Sequence, residues 1–263
     1  MDPINELAAR HGLMVYEDAC QAVFGRYKGR YAGTLGHAAG FSFDAEKTMG
    51  SDVGGCLVTN DDALAEHARF VGHNRGGQVR PHFGRAHVVN GYALRMSQTT
   101  AAISLAQLEI AKAQVAVRDR MIRLLTKLLA DIPGIIALPI PEYLDIYSCW
   151  MAGLSLEAGA FKCDAEAFAQ QLEAEGIPGV GQGKYYLMPE GLVFLQQAAA
   201  QGDYPYSQPP ASRTYRYSGQ DCPTATAFLA HFIRWTTFCE KYNETHCEQA
   251  AQMIRTVAAR NRV

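Results

Sequence analysis

The sequence of 263 residues is missing several features that would assign it to a common class of protein. It contains no apolar run long enough to span a bilayer, and it does not begin with the pattern of a signal peptide. The formal net charge of −2 provides no general attraction to nucleic acid or to an anionic membrane. We therefore expect a soluble, cytoplasmic protein that binds neither of them.

The cysteines and histidines also fail to form a familiar framework. The seven cysteines are odd in number and scattered, and no two of them stand at Cys-x-x-Cys spacing. Reduced thiols fit this pattern better than disulfides do. The eight histidines show no zinc-like pairing with the cysteines, and no partner ligands lie near His82 and His87. The sequence predicts no metal site.

The residues that are present can build a buried core. The chain is 48% hydrophobic and 19% charged, and its length suits one large or two modest domains. Apolar spacing predicts a long helical region from Ser97 to about Leu129, which Pro133 and Gly134 end. Strand patterns, one of them at Trp235–Phe238, and a helix capped by Asp164 follow, in an order that fits a small α+β domain.

Two further helices are expected nearer the start of the chain. Asp2-Pro3-Ile4 predicts a helix that has Asp2 as its N-cap and runs to about His11. A second helix is expected from Asp61 to Val71, and Gly72 should end it.

Lys47 stands in a polar, glycine-bearing loop between two apolar runs, Phe41–Phe43 and Cys56–Thr59. A lone lysine in such a loop is most often an ordinary surface residue. An amine that is partly removed from water, however, favours its neutral and nucleophilic form. A second observation upstream makes this alternative worth considering.

Asp18 follows the apolar run Leu13–Tyr16, which predicts a short strand. An acid at the carboxyl end of a strand in an α/β sheet faces the crevice where ligands bind. A carboxylate and a lysine on neighbouring strand ends are the minimum needed for pyridoxal phosphate, since the lysine forms a Schiff base and the carboxylate keeps the pyridine nitrogen protonated. Asp18 could equally cap the next helix, and the spacing alone leaves both interpretations open.

Four successive motifs then point to one family: Glu17-Asp18-Ala19-Cys20-Gln21-Ala22, Gly33-x-Leu35-Gly36, Phe41-Ser42-Phe43-x-x-x-Lys47 and Gly54-Gly55-x-x-Val58-Thr59-Asn60-Asp61. In order, spacing and residue type, this stretch closely resembles the DegT/DnrJ/StrS sugar aminotransferases. These are pyridoxal-phosphate enzymes of fold type I that act mostly on nucleotide-linked keto sugars. The resemblance continues more loosely to Leu108 and fades after the middle of the chain.

The resemblance implies a role for each of four residues. Lys47 would form the Schiff base with the cofactor and later carry the proton between substrate and cofactor carbons. Asp18 would pair with the pyridine nitrogen, and Gln21 would hydrogen-bond the phenolic oxygen of the cofactor. Ser42 would donate a hydrogen bond to the cofactor phosphate.

The resemblance also implies an architecture. The fold would be α/β, the fold-type I pyridoxal-phosphate transferase fold, and family members are homodimers. Residues 1–110 would form the remaining part of the large cofactor-binding domain, 111–132 a linking helix, and 133–263 the small α+β domain. By the same resemblance, Arg75, Arg80 and Arg85 lie near the active site of the dimer, where they could bind substrate phosphates or be ordinary surface residues.

Two departures from the family pattern stand out. Ala93 occupies a position where many members have a phosphate-binding Asn from the partner subunit, and Asn90 lies three residues earlier. Family members also carry a substantial segment before the strand that bears the aspartate, whereas only Met1–Gly12 precede that strand here. We expect a chain that corresponds to the back portion of an aminotransferase.

The predicted function is transfer of an amino group from glutamate or glutamine to a keto sugar, and a nucleotide-linked sugar is the expected acceptor. The alternative is an inactive, truncated or partner-dependent relative whose missing front another chain supplies. A dehydratase of related fold is disfavoured, because such members have His at the position of Lys47. The glycine-rich stretch Gly179–Lys184 fails as a P-loop, since Pro178 stands where its first Gly should be.

Overall fold

A computed structural model of the protein describes residues 1–73, 79–80, 84–85, 89–183, 187–211 and 215–263. The chain divides into two compact units. The first consists of Met1–Arg123, Ile140–Trp150 and Cys239–Asn243, and the second of Leu124–Pro139, Met151–Phe238 and Glu244–Val263. The domain boundaries expected from the sequence at 110 and 132 remain a prediction.

The helices alternate with strands through much of the chain. The helices described are α1 (Asp2–His11), α2 (Asp62–His73), α3 (Gln98–Leu129), α4 (Ala165–Ala174), α5 (Met188–Gly191), α6 (Val193–Gln201), α7 (Pro223–His231) and α8 (Glu244–Asn261), with a single 3₁₀ turn at Gly219–Asp221. No helix in these parts of the chain is long and apolar enough to cross a bilayer.

The strands are short. Those described are β1 (Tyr16–Asp18), β2 (Arg26–Tyr27), β3 (Arg30–Tyr31), β4 (Ala38–Ser42), β5 (Gly55–Thr59), β6 (Val79–Arg80), β7 (Gly84–Arg85), β8 (Ile135–Ala137), β9 (Leu144–Ile146), β10 (Ala152–Leu156), β11 (Val180–Gln182) and β12 (Phe232–Trp235). They form sheets in the orders β1-β4-β5, β3-β2-β9, β11-β12-β10-β8 and β6-β7.

The sheet β1-β4-β5 organises the first unit. β1 runs parallel to β4 with Asp18 opposite Gly40, and β5 runs antiparallel to β4 with Gly55 opposite Ser42. Because β1 and β4 are parallel, their carboxyl ends lie at the same edge of the sheet. The turn before β4 passes so close to the chain that a Cβ at Gly36 would lie 2.7 Å from the carbonyl oxygen of Val15.

The carboxylate of Glu17 holds that turn in place. Its two oxygens accept hydrogen bonds from three backbone N–H groups, those of Gly33 at 2.8 Å, Leu35 at 2.6 Å and Gly36 at 2.6 Å. A charged acceptor makes each of these bonds stronger than a neutral one would be. Glu17 therefore fixes the path that the chain takes into β4.

The first helix spans the predicted residues, but its cap differs. α1 ends at Gly12, whose φ of +62° is the left-handed conformation common at helix ends. The residue at the N-cap is Met1, whereas the sequence suggested Asp2. Asp2 lies in the first turn, where its carboxylate pairs with Lys28 Nζ at 2.5 Å.

Other boundaries shift for identifiable reasons. α2 continues through Gly72 to His73, because glycine lowers the stability of a helix without ending it. The strand expected at Trp235–Phe238 lies instead at β12, where ladders with β10 and β11 on both sides set its register. α3 is one continuous helix of 32 residues.

The second unit has an antiparallel sheet, β11-β12-β10-β8, with α4 and α8 among the elements around it. Asp164 caps α4 as predicted, since its Oδ1 accepts a hydrogen bond from Ala167 N at 2.9 Å. The core of the second unit is built mainly by helices and by β12. Its largest fully buried side chains are Phe168, Leu172, Ile233, Ile254 and Val257, together with Leu125, Leu129 and Phe238.

Candidate active site

The loop that carries Lys47 is a tight closure between β4 and β5. Backbone N–H groups of Phe43 and Ala45 donate to the carbonyls of Gly54 and Asp52 at 2.9 and 3.0 Å, so the two arms of the loop are paired. Lys47 N donates to Asp44 O at 3.0 Å. Phe43 and Met49, which are buried, anchor the loop on both sides of Lys47. The backbone of Lys47 is thus fixed at the end of β4.

Only glycine fits at one point of this loop. A Cβ on Gly50 would lie 2.8 Å from the carbonyl oxygen of Ala45, which is closer than real Cβ atoms approach other atoms. The buried hydroxyl of Ser51 accepts a hydrogen bond from Ser104 Oγ of α3 at 2.8 Å. The close approach at Gly50 and the hydrogen bond at Ser51 both restrict the conformation of the loop.

Asp18 lies at the carboxyl end of its strand, as the sequence predicts, with its side chain open to solvent. The strand itself covers Tyr16–Asp18 and not the predicted run Leu13–Tyr16, because its ladder with β4 begins at Tyr16. The pKa of Asp18 lies below its ordinary value of 3.8, because the thiol and the N–H of Cys20 hydrogen-bond to it and because the positive charge of Lys47 is near. The N–H bond measures 3.2 Å. The same contact with Asp18 raises the pKa of the Cys20 thiol. Asp18 is therefore ionised at neutral pH.

Trp150 is the nearest aromatic partner of the lysine. Lys47 Nζ lies 4.4 Å from the centroid of the indole ring, well inside the range of a cation–π contact. The indole N–H of Trp150 donates to the carbonyl oxygen of Glu46 at 2.8 Å. The sequence analysis missed Trp150, since it lies 104 residues from Glu46 and belongs to none of the motifs.

Arg118 joins the lysine loop to the segment that carries Trp150. Its Nη1 donates to Thr48 Oγ1 at 3.4 Å and to the carbonyl oxygens of Cys149 and Trp150 at 3.3 and 3.4 Å. Its Nε and Nη2 bond Glu240 Oε2 at 2.9 and 2.7 Å. The guanidinium side chain is only 12% exposed. Sequence reasoning also missed Arg118 and Glu240, which have no local signature.

Ser42 and Gln21 complete the residues expected from the sequence. Ser42 is half-buried at the end of β4, where its hydroxyl accepts a hydrogen bond from Asp44 N at 3.3 Å. Gln21 is exposed in the turn after β1. The structure thus brings Asp18, Ser42 and Lys47 to one edge of the sheet, with Gln21 in the adjoining turn. Their roles toward a cofactor remain predictions.

The structure assigns no site to several other residues that the sequence analysis named. Arg75 and Lys184 lie outside the described residues, and Arg80 and Arg85 are described only through the backbone of β6 and β7. Ala93, where the family often has Asn, is exposed.

The groups at this edge match the polar groups of pyridoxal phosphate. An ionised carboxylate suits a protonated pyridine nitrogen, an amine suits the aldehyde, and neutral hydroxyl and amide donors suit the phosphate and the phenolic oxygen. The position of Asp18 and Lys47 at the same edge of the sheet supports this fit, since both groups must approach one small ligand, and the charge of Lys47 contributes to the lowered pKa of Asp18.

The first unit also has an open apolar groove of about 610 Å³. It is lined by side chains of β4, β5, α3, the turn after β1, the lysine loop and the segment before α3, among them Val23, Phe24, Phe41, Phe43, Met49, Val58, Met96, Leu105 and Leu108. On α3, Leu105 is 65% exposed and Leu108 46%. Exposed apolar surface of this extent marks a site of contact with another molecule or segment.

The fold and the groups at this edge are compatible with a pyridoxal-phosphate transferase. The comparisons with known proteins agree: the sequence model of the DegT/DnrJ/EryC1/StrS aminotransferase family matches residues 1–218. The chain belongs to this family, whose aminotransferases depend on pyridoxal phosphate.

Curated relatives include two GDP-perosamine synthases. The protein from Caulobacter vibrioides is 35% identical over 177 residues, which are 67% of this chain and 47% of that protein. The protein from Escherichia coli O157:H7 is 42% identical over 109 residues, which are 41% of this chain and 29% of that protein. The chain thus spans about half the length, or less, of the curated relatives that it matches.

Solved structures confirm the predicted fold class. The aminotransferase from Psychrobacter cryohalolentis has a TM-score of 0.77 at 22% identity, covering 98% of this chain and 65% of that one. DesV of S. venezuelae, solved in complex with a ketimine intermediate, has a TM-score of 0.74 at 25% identity, covering 98% of this chain and 61% of that one. Nearly all of this chain therefore adopts the fold of about three fifths of those chains.

Proposed function

We propose that this chain carries the lysine-bearing part of a pyridoxal-phosphate-dependent sugar aminotransferase. The observation that supports it best is the arrangement of Asp18 and Lys47, which come from neighbouring strand ends and interact through their charges. Membership of an aminotransferase family adds the reaction type. The names of the perosamine synthases and the TDP-sugar product bound to DesI support a nucleotide-linked keto sugar as the acceptor class.

Each residue has a distinct task in this proposal. Bound pyridoxal phosphate supplies an aldehyde that bonds to amines and a ring that withdraws electrons from the reacting carbon. Lys47 would hold the cofactor through its aldehyde, and the free amine of Lys47 would move a proton to and from the reacting carbon. Asp18 keeps the ring nitrogen protonated, because its lowered pKa leaves it ionised at neutral pH. Ser42 donates to the phosphate and Gln21 to the phenolic oxygen.

The wider setting is also proposed. Glutamate or glutamine is the amino donor, the reaction takes place in the cytoplasm, and the working form is a homodimer or a complex with a partner chain. The apolar groove favours the partner-dependent alternative, since it exposes side chains such as Leu105 and Leu108. Its proposed occupant is polypeptide from the part of the family fold that this chain does not span, which is roughly two fifths of the neighbouring structures.

Trapping with borohydride tests the cofactor proposal. The purified chain is mixed with pyridoxal phosphate and reduced, and peptide mapping by mass spectrometry locates the adduct. We expect the adduct at Lys47 and its loss in Lys47→Ala, while Lys112→Ala, which removes an exposed lysine of α3, leaves it intact. Labelling spread evenly over the lysines and unaffected by Lys47→Ala would refute the proposal.

A further inference from the structure

A single side chain contacts the loop of Lys47 at two points. The face of the Trp150 ring lies 4.4 Å from Lys47 Nζ, and its N–H bonds the carbonyl oxygen of the preceding residue, Glu46, at 2.8 Å. One contact fixes the tip of the lysine and the other fixes the backbone from which it extends. A flexible four-carbon side chain needs both restraints to have one orientation.

The backbone of Trp150 is itself held in place. Arg118 donates to the carbonyl oxygen of Trp150 and to the hydroxyl of Thr48, the residue after Lys47. The guanidinium therefore ties the tryptophan and the lysine loop to a common point. Because this guanidinium is paired with Glu240 and is 12% exposed, its position is well defined.

The lysine has competing partners close by. Asp44 and Glu46 lie in the same loop, and both are exposed. Without a fixed neighbour, the amine could turn toward either carboxylate and away from Asp18. The negative face of an indole ring attracts an ammonium group and offers a definite alternative position.

We propose that Trp150 is a positioning residue for Lys47, holding its amine on the Asp18 side of the loop. This inference rests on the proposed function, in which Lys47 bonds to the cofactor. Trp150 acts through Lys47 and needs no contact with the cofactor or the substrate. The aromatic face carries the effect, and the N–H bond to Glu46 supports it.

The contact can be tested without any cofactor. The chain has two tryptophans. Subtracting the fluorescence emission spectrum of Trp150→Phe from that of the wild type therefore gives the emission of Trp150. An ammonium group at 4.4 Å perturbs an indole, and we expect Lys47→Met to shift this difference spectrum. Lys112→Met is the matched control and leaves the spectrum unchanged. Identical spectra for the wild type and Lys47→Met would overturn the inference.

The positioning effect is measured by where the borohydride-trapped adduct forms. We expect Trp150→Leu to lower the ratio of adduct at Lys47 to adduct at Lys112 by about threefold or more, the scale of a cation–π contact. Trp150→Phe keeps an aromatic face and restores most of the ratio. Tyr143→Leu, which removes an exposed aromatic ring of the same unit, is the control and leaves the ratio unchanged.

The outcomes separate the two proposals. A wild-type chain that labels at Lys47, together with a Trp150→Leu variant that labels equally well, overturns the role of Trp150 and leaves the proposed function standing. A wild-type chain that does not label at Lys47 overturns the proposed function, and the inference fails with it. Equal losses in the Leu and Phe variants contradict the role assigned to the aromatic face.

Discussion

At the scale of single residues, the adjacent acids Glu17 and Asp18 have different tasks. Glu17 turns toward the loop before β4 and accepts three backbone hydrogen bonds there. Asp18 lies open at the strand end, where hydrogen bonds from Cys20 lower its pKa and the charge of Lys47 adds to that effect. Adjacent residues of a strand point to opposite faces, and this alternation gives the two carboxylates different surroundings.

Replacing Glu17 should therefore affect folding. In Glu17→Gln one oxygen becomes an NH₂ donor that faces backbone N–H groups, so at least one of the three bonds is lost. We expect the free energy of unfolding to fall by about 1–3 kcal/mol. Urea denaturation measures the change, and Glu142→Gln, at an exposed position, is the neutral control. A Glu17→Gln variant as stable as the wild type would contradict this account.

Replacing Asp18 should leave the fold intact and weaken cofactor binding. Asp18→Asn removes the negative charge proposed to pair with the pyridine nitrogen, and we expect the Kd for pyridoxal phosphate to rise about tenfold or more. Absorbance titration measures the Kd. Asp52→Asn is the control. Asp52 is exposed in the loop of Lys47, and its φ of +82° is one that asparagine also adopts. Equal Kd values for both variants would refute the pairing.

At the scale of elements, the site depends on contacts between segments far apart in the chain. Arg118 of α3 bonds Glu240 at a separation of 122 residues and Thr48 at 70. Burial alone would raise the pKa of Glu240, but hydrogen bonds from its own N–H and from Arg118 outweigh burial and place that pKa below the ordinary 4.5. The ionised carboxylate is thus part of what holds α3 to the lysine loop.

The pair should make stability depend on pH. Because the pKa of Glu240 is lower in the folded than in the unfolded chain, its contribution is present above pH 4.5 and is lost as the pH falls below it. We expect Glu240→Gln to lower Tm at pH 7 and to have little effect at pH values below the folded-state pKa. Thermal denaturation against pH measures this.

An exposed ion pair provides the comparison. Asp131 pairs with Arg255 at 2.9 Å, but the two side chains are 72% and 41% exposed. Such pairs contribute little to stability. Asp131→Asn should change Tm much less than Glu240→Gln at pH 7, and equal changes would contradict the importance assigned to Arg118 and Glu240.

These long-range contacts explain which parts of the site the sequence could predict. Asp18, Ser42 and Lys47 belong to motifs within one short stretch, where strand patterns and spacing indicate a shared edge. Trp150 and Arg118 reach the loop only through tertiary packing, which no local pattern encodes. The strand expected at Trp235–Phe238 lies instead at Phe232–Trp235 for the same reason, since its two ladder partners outweigh its own residue preferences.

At the scale of the whole molecule, the exposed apolar groove of the first unit should govern association. A chain with side chains such as Leu105 open to water tends to bind other apolar surfaces. We expect Leu105→Glu to lower the fluorescence of a bound hydrophobic dye and to slow aggregation on warming.

The control must carry the same change outside the groove. Val193→Glu introduces a carboxylate at a position that is 53% exposed on α6. It should leave dye fluorescence and the rate of light-scattering increase close to those of the wild type. Equal effects of the two substitutions would mean that added charge, and not the groove, governs association.

The strands β1, β4 and β5 have a consequence for how such a protein changes over evolutionary time. Residues 16–59 contain Asp18, Ser42 and Lys47, and pairing of β4 with β1 and β5 fixes their relative positions. When recombination crosses over on either side of this stretch, the three groups are inherited together. Regions on either side can therefore be replaced by recombination while these three groups keep their spacing.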